Sequence, residues 1–326
     1  MTVAARVPAL TGPLGGGELP PLAARRKSRR VGELVIETLL RVSAFAAVLG
    51  LALIMVFLFR EALPVFFDPV IRHEAGFQHF ISTIMWQPVG SVPKYGILPL
   101  IVGTLKVVVI AMMFAVPIGV LAAVFASEFA SPRLREALKP VIEILAGIPS
   151  VVLGFFALIV MASWVQAVTG AASRLNALNA GIALALGIIP VIFTVCEDAL
   201  RAVPRSYREA SLALGATTWR TAWAVTLPAA SAGVAAGILL GLARAVGETM
   251  IVLMASGNAA IVSGNPLDSV RTLSATIAAE LAEVVVGGPH YSVLFFLGAL
   301  LFTTTFCINV AAGMFVDRLR KQLRGA

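Results

Sequence analysis

The sequence predicts an all-α integral membrane protein with six transmembrane helices, on three observations. Hydrophobic residues make up 59% of the 326 residues and charged residues only 13%, which is about half the charge of a typical soluble chain. Several apolar runs reach the roughly 20 residues that a helix needs to cross the hydrocarbon. The breaks between these runs hold nearly all of the remaining charge.

The first predicted span is residues 42–59, and five further apolar runs follow, at 97–127, 141–165, 178–200, 229–256 and 291–316. A cleaved signal peptide is the alternative for the first run, but the run is long and no small-residue cleavage site follows it. The predicted divisions are a disordered basic tail at 1–34, the first helix with an external loop at 35–96, the core transmembrane domain at 97–316 including a loop at 201–228, and a basic tail at 317–326.

The basic residues predict the orientation. If the N-terminus is cytoplasmic, eighteen Lys and Arg residues lie inside and five outside, as the positive-inside rule requires. The formal net charge of +8 is therefore a topology signal and does not indicate nucleic-acid binding. Both termini are predicted to be cytoplasmic, and the protein is predicted to lie in the plasma (inner) membrane.

Prolines interrupt several of the predicted spans, at Pro117, Pro149 and Pro190. A proline removes one backbone hydrogen bond and kinks the helix, which lipid tolerates only where other protein groups or a water-lined cavity satisfy the freed atoms. These prolines are either packing adaptations or signs of helices that line a translocation path.

The segment 201–228 is too polar to span the membrane but has helical periodicity. Ser206 can cap a short helix, Gly215 can stop it, and Thr217 or Thr218 can start a second helix that ends before the proline closing the segment. The pattern predicts a helix–glycine–helix hairpin at the membrane surface, of a kind that can bind in a groove on a partner protein.

This hairpin resembles the EAA loop of ABC importer permeases, whose pattern is Glu-Ala-Ala, three residues, Gly, nine residues, Ile, one residue, Leu-Pro. The matching residues here are Glu209, Ala210, Ser211, Gly215, Val225, Leu227 and Pro228. Ser211 replaces the second alanine and Val225 the isoleucine. The resemblance implies a coupling loop that docks into the nucleotide-binding subunit; an ordinary amphipathic loop is the alternative.

Two further segments, 143–152 and 241–250, resemble the ELLAGIPSVV and GRAxGETM stretches of phosphate-specific permeases. His290-Tyr291-Ser292 and the Trp86/Tyr95-Gly96 region favour the PstC type over its paralogue PstA. The resemblance covers about residues 60–316. It implies the type I ABC importer permease architecture and translocation of inorganic phosphate.

The chain has no GxxxxGK[ST] sequence and no Gly-Lys pair, so it lacks a phosphate-cradling loop of that kind. It is predicted not to be an enzyme and to bind no cofactor, with ATP and Mg held by a partner ATPase. The histidines His73, His79 and His290 have no metal-ligand spacing, so no metal site is predicted.

Arg244 is placed about midway along the fifth predicted span, where a charge is costly and usually functional. Glu248 follows four residues later, on the same face of a continuous helix. Together they are predicted to line the substrate pathway, with Ser150 and Thr249 as further hydroxyl candidates. A structural ion pair between Arg244 and Glu248 is the alternative.

The predicted partners are a second, PstA-like permease, two nucleotide-binding ATPase subunits, an external phosphate-binding protein and membrane lipid, with no nucleic acid. The alternatives are the PstA-like role itself or another oxyanion, such as sulfate, molybdate or phosphonate. A self-contained channel or secondary transporter is the rival class. It would predict an inverted repeat and no EAA-type loop.

Overall fold

The structure, a computed structural model, describes residues 26–324. Most of the predicted tail 1–34 lies outside these residues. The first helix begins at Arg26, inside that predicted tail, and the last helix continues to Arg324 through most of the predicted tail 317–326. Extending an existing helix fixes one residue for each hydrogen bond gained, so both long helices run past their apolar cores.

The described residues divide into two compact units, with the boundary between Val56 and Phe57. The first elements are α1 (Arg26–Ala62), α2 (Pro64–Phe67), α3 (Pro69–Ala75), α4 (Phe77–Ser82), β1 (Trp86–Gln87) and β2 (Lys94–Tyr95). The next are α5 (Leu98–Val124), α6 (Pro132–Gly147), α7 (Ser150–Phe156), α8 (Ala162–Thr169) and α9 (Ala177–Arg201). The last are α10 (Arg205–Ala213), α11 (Thr218–Thr221), α12 (Leu227–Ala229), α13 (Ser231–Gly247), α14 (Met250–Ala255), α15 (Leu273–Glu280) and α16 (Pro289–Arg324).

Short π-helical turns connect several of these helices, at Phe125–Phe129, Ala157–Met161 and Ala222–Thr226. Strands β1 and β2 pair antiparallel, with Trp86 opposite Tyr95. The mostly helical architecture agrees with the predicted fold class.

Five helical stretches are long and apolar enough to cross a membrane: Gly32–Phe67, Leu98–Phe129, Ser150–Thr169, Ala177–Arg201 and Pro289–Leu319. A sixth is formed if the pair Thr218–Ala229 and Ser231–Gly247, bent by 72°, counts as one span. The described chain therefore has five or six candidate spans.

The third span differs from its predicted range of 141–165. Helix α6 is amphipathic and ends at Gly147, Ile148 and Pro149 are extended, and a new helix begins at Ser150. A residue that precedes proline is disfavoured in the α conformation, so the apolar run is divided where Ile148 meets Pro149. The prediction of one continuous span here is wrong.

Small residues allow the central helices of the larger unit to pack closely. Side chains from α5 and α9 form most of its largest buried apolar cluster. Helix α13 packs on α9 through Gly233, Gly237 and Gly241, and a Cβ at each would meet Ala199, Cys196 and Ile192, respectively, at less than ordinary contact distance. Glycine at every fourth position is the spacing by which membrane helices bring their backbones together.

A partly buried carboxylate, that of Glu280, connects the loop before α5 with the segment before α16. Glu280 accepts a hydrogen bond from Trp86 Nε1 at 3.1 Å, forms an ion pair with Arg271 at 2.8 Å and contacts His290 Nε2 at 3.0 Å. Tyr95 packs edge-on against Trp86. Burial raises the pKa of Glu280, but the hydrogen bonds from His290 and Trp86 and the charge of Arg271 outweigh it, so the pKa is lowered overall. The carboxylate is therefore ionised at neutral pH and can bridge these segments.

Leucine at position 233 should force α13 away from α9. The added Cβ overlaps Ala199 Cβ, which is fixed to the α9 backbone and has no alternative rotamer. We expect overpacking in Gly233→Leu to cost about 1–3 kcal/mol and to lower the apparent melting temperature of the detergent-solubilised protein.

Gly313→Leu is the matched control, because a Cβ at this position of α16 meets no atom within 4 Å. Equal melting temperatures for the two variants would contradict the packing described for α13.

Candidate functional site

The predicted hairpin is present and turns at a glycine. Helix α10 ends at Ala213, and Gly215 has φ = +81°, a conformation that glycine adopts without steric cost. The N–H of Gly215 donates to the carbonyl of Leu212 at 2.9 Å. Thr217 caps α11, accepting a hydrogen bond from the N–H of Arg220. The glycine stop and the Thr217 start are both as the sequence predicts.

The ends of the hairpin differ from the prediction. Helix α10 begins at Arg205, and its N-cap Pro204 provides no side-chain hydrogen bond, so Ser206 is not the cap. The second arm does not end before Pro228 but continues to Ala229 through a π-helical turn. A proline in the first turn of a helix needs no N–H partner, so Pro228 interrupts no hydrogen bond of α12.

The two arms of the hairpin are joined by their hydroxyl groups. Ser211 Oγ and Thr221 Oγ1 lie 2.9 Å apart in a hydrogen bond. Ser211 stands at the one position of the Glu-Ala-Ala pattern where this chain departs from alanine. The substitution therefore adds a contact that holds α10 against α11.

The residues of the predicted coupling loop fall into two groups. Glu209, Ala210 and Gly215 are exposed, as is Leu214, whose exposed fraction is 89%. Leu227 at the base instead packs against the main apolar cluster. The hairpin therefore presents its tip to its surroundings and is anchored at its base.

An ion pair that the sequence does not reveal fixes this base. Arg208 on α10 pairs with Glu128 in the π-helical turn after α5, with Nη2 and Oε1 2.7 Å apart. Arg208 lies next to the recognised Glu209, but Glu128 belongs to no motif in the sequence, and 80 positions separate Arg208 from it. The only sign of it in the sequence is that Glu128, an acidic residue, directly follows the long apolar run 97–127.

The fifth predicted span is broken at the candidate pathway residues. Helix α13 ends at Gly247, Glu248 is extended and α14 begins at Met250. Arg244 and Glu248 therefore do not share the face of one continuous helix, and that prediction is wrong. Within residues 26–324, Arg244 forms no ion pair.

Arg244 is also exposed and not buried as expected. Ala245 continues the face formed by Gly237 and Gly241, and it is buried. Successive helical residues turn by about 100°, so the Arg244 side chain leaves the helix away from that packed face. Its guanidinium is available to a ligand or to another chain.

Where the fifth span breaks, side chains form hydrogen bonds with the backbone groups that the helix no longer pairs. Ser274 Oγ on α15 donates to the carbonyl of Glu248 at 2.8 Å, and Thr249 Oγ1 donates to the carbonyl of Gly247 at 3.3 Å. The Glu248 carboxylate accepts the N–H of Thr249 at 3.1 Å. Thr249 and Ser274 line an open cavity of about 450 Å³. The break thus places two hydroxyl groups at the edge of an open space whose other lining residues are apolar.

The remaining candidate, Ser150, is the first residue of α7, directly after the break in the third span. Helix α7 packs against α14 at Gly154, where a Cβ would lie 3.0 Å from the Met250 carbonyl oxygen. Ser150 and Thr249 therefore belong to two helices that meet next to their breaks. No hydrogen bond in the described part of the chain joins either of them to Arg244.

Within residues 26–324 no group of three His, Cys, Asp or Glu side chains could hold a metal ion. The polar residues brought together are instead those of the hairpin base and those beside the two helix breaks. This arrangement offers charged and hydroxyl groups for holding a solute or a partner, and contains no assembled metal centre.

Known proteins share this architecture. A family model described as "binding-protein-dependent transport system inner membrane component" matches residues 115–321. Among solved structures, a bacterial alginate ABC transporter, in complex with an alginate pentasaccharide-bound periplasmic protein, has a TM-score of 0.60 at 14% identity, covering 88% of this chain and 97% of that one. The inward-facing MetNI methionine ABC transporter has a TM-score of 0.54 at 20% identity, covering 68% and 97%. At these identities the likeness concerns the fold.

Relatives found by sequence have higher identities to this chain than these solved structures do. The probable ABC transporter permease protein YqgH of Bacillus subtilis (strain 168) is 36% identical over 227 residues, covering 70% of this chain and 74% of that protein. The phosphate transport system permease protein PstC 1 of Mycobacterium tuberculosis (strain ATCC 25618 / H37Rv) is 36% identical, covering 72% and 75%. PstC of Mesorhizobium japonicum (strain LMG 29417 / CECT 9101 / MAFF 303099) is 33% identical, covering 74% and 78%. The chain therefore belongs to the family of binding-protein-dependent transport system inner membrane components.

Proposed function

We propose that this chain is one of two permease subunits of an ATP-driven importer that moves inorganic phosphate across the inner membrane. Its partners are a second, PstA-like permease, two nucleotide-binding ATPase subunits and an external phosphate-binding protein. ATP and Mg bind to the ATPase subunits. The chain itself provides part of the membrane path and the surface that receives the ATPase.

The hairpin is the observation that carries this proposal. Its exposed tip, with Glu209 and Leu214, and its anchored base, with Leu227, suit a segment that transmits force between a partner and the membrane helices. A short helix presented in this way binds in a groove on its partner. A self-contained channel or secondary transporter has no use for such a hairpin.

The distribution of charge supports the orientation. The hairpin segment 201–228 and the segment 128–140, which the Arg208–Glu128 pair joins to it, together hold seven of the Lys and Arg residues predicted to lie inside. Lys and Arg are enriched in cytoplasmic loops. The hairpin is then on the cytoplasmic side, where ATP is available to the ATPase.

The choice of phosphate rests on the names of the PstC relatives and on Arg244. The guanidinium fork suits a tetrahedral oxyanion, and the last turn of α13 is a favourable place for a cation. The Glu248 carboxylate can accept a hydrogen bond from a protonated phosphate, which sulfate cannot offer. A purely structural Arg244–Glu248 pair is less well supported, because Glu248 lies beyond the end of the helix.

Proteoliposomes that hold the whole importer should accumulate radiolabelled phosphate only when ATP is on the ATPase side. An excess of unlabelled phosphate should abolish the signal, whereas sulfate, molybdate and phosphonate should leave it unchanged. Proteoliposomes with this chain alone are the control and should show no flux. Phosphate flux through the chain alone would identify a channel or secondary transporter, and competition by sulfate would identify another oxyanion.

Replacing the Arg244 charge should slow uptake without preventing assembly. Arg244→Gln keeps hydrogen-bonding capacity but removes the charge, and a charge-assisted hydrogen bond is worth enough that uptake should fall by about ten- to a hundredfold. Lys106→Gln is the control, because Lys106 is also a cation within a span but donates to the backbone carbonyl of Asn265. Initial uptake rates, normalised to assembled complex, measure the effect.

The double variant Arg244→Gln/Glu248→Gln separates the two roles of Arg244. If the guanidinium contacts the anion, the double variant should be at least as slow as Arg244→Gln, because the Glu248 contact with protonated phosphate is also lost. Uptake near the wild-type rate in the double variant would mean that the two charges only neutralise each other, and Arg244 would have no role in the pathway.

A further inference from the structure

The ion pair at the base of the hairpin is bidentate and largely shielded from solvent. Arg208 Nε lies 3.0 Å from Glu128 Oε2, and Nη2 lies 2.7 Å from Oε1. The exposed fractions of the two side chains are 21% for Arg208 and 5% for Glu128. Two parallel hydrogen bonds fix both the distance and the direction between the partners. This contact therefore resists sliding as well as separation.

The same two side chains gather several elements. Arg208 also donates to the carbonyls of Leu200 and Val203 at the end of α9, each at 2.8 Å. Glu128 also accepts from Thr226 Oγ1 on the second arm of the hairpin, at 3.5 Å. One guanidinium and one carboxylate thus connect both arms of the hairpin with the ends of α5 and α9.

The π-helical turn that carries Glu128 is held from its other side by α6. Arg135 donates from Nε to the carbonyl of Ala126 at 2.8 Å and from Nη2 to the carbonyl of Ser127 at 2.7 Å. A π-turn shifts the backbone hydrogen-bond register, and here an arginine takes up two of its carbonyls. The turn is therefore held in place from both sides, so that a displacement of Arg208 would act on α5 itself.

A buried ion pair is seldom kept for stability alone. Desolvation offsets its attraction, and apolar residues of similar volume often serve as well. What such residues do not supply is a directional connection between two elements. In the described part of the chain, this is the only ion pair between α10 and the end of α5. Its position therefore suits the transmission of movement from one element to the other.

We propose that Arg208 and Glu128 are positioning residues that pass displacement of the coupling hairpin to α5 and α9. This inference rests on the proposed function, in which an ATPase moves the hairpin. When the ATPase subunits close, the hairpin moves with them. The ion pair then carries α5 and α9 along, and these helices form most of the largest buried apolar cluster. Without the pair, the ATPase would still bind the exposed tip, but its movement would be lost at the base.

The adjacent pair Glu197–Arg201 provides a matched control. Its atoms lie 3.0 Å apart, and Glu197 is nearly as deeply buried as Glu128, with 8% exposed, while Arg201 is more exposed than Arg208, at 44%. Both partners belong to α9, however, so the pair joins no two elements. Arg201→Lys and Arg208→Lys make the same chemical change at the same end of the bundle, keeping the charge and removing the fork.

The experiment uses the whole importer in lipid nanodiscs, with a nitroxide on Met113→Cys to report movement of α5. Met113 lies on α5 with 64% of its surface exposed, and Cys196 and Cys307 are first replaced by alanine. With the wild-type pair, ATP should change the nitroxide spectrum. In Arg208→Lys and Glu128→Gln the ATPase should still co-purify and hydrolyse ATP, but this spectral change should be lost, whereas Arg201→Lys should keep it.

Phosphate uptake per ATP hydrolysed, in proteoliposomes that hold the same complexes, is the second measurement, and it should fall about fivefold or more in Arg208→Lys, the range of a typical coupling between sites. An unchanged ATP response of the α5 label in both variants would overturn the proposal. So would loss of assembly in Arg208→Lys but not in Arg201→Lys, since the pair would then serve folding. Failure of the wild-type complex to take up phosphate would contradict the proposed substrate but leave the nitroxide test of the pair intact.

Discussion

Peptide groups inside hydrocarbon must find hydrogen-bond partners within the protein, because no water reaches them. At two places in the described part of the chain where the backbone departs from regular helix, a polar side chain supplies a hydrogen bond that the backbone lacks. Ser274 donates to the carbonyl of Glu248 at the break in the fifth span, and Arg135 donates to the carbonyls of Ala126 and Ser127 at the π-helical turn after α5. Both departures are therefore stabilised by side chains from neighbouring helices.

Tight packing between these positions gives the larger unit its stiffness. Glycines on α13 bring it against α9, and α9 shares the main apolar cluster with α5. A displacement applied at one end of such a group is carried along it, since close-packed helices do not deform continuously. The hairpin base, where Arg208 meets Glu128, is the point at which a partner could act on this group. The exposed tip at Leu214 is the surface by which it could be held.

Much of the fold follows from the sequence, because the length of an apolar run is a local property. The spans around α5, α9 and α16 lie close to their predicted ranges, and Gly215 turns the hairpin as predicted. The prediction of one span at 141–165 was wrong because a uniformly apolar composition hides a break in the helix. Pro149 was the only residue that indicated it. Arg244 and Glu248 were expected on one face because the helix was assumed to continue through Gly247. The pairing of Arg208 with Glu128 depends on how distant segments pack, and no local pattern encodes it.

Cross-linking tests most directly whether the hairpin tip contacts the ATPase, as we propose. In a chain whose Cys196 and Cys307 are replaced, Leu214→Cys places a thiol at the tip. Val168→Cys is the control, because Val168 lies near the C-terminal end of α8, outside the hairpin, and has 87% of its surface exposed. A short bifunctional reagent, applied to the assembled complex, should join the chain to the ATPase through position 214 and not through position 168. Absence of that product at 214, in a complex that hydrolyses ATP, would contradict the account.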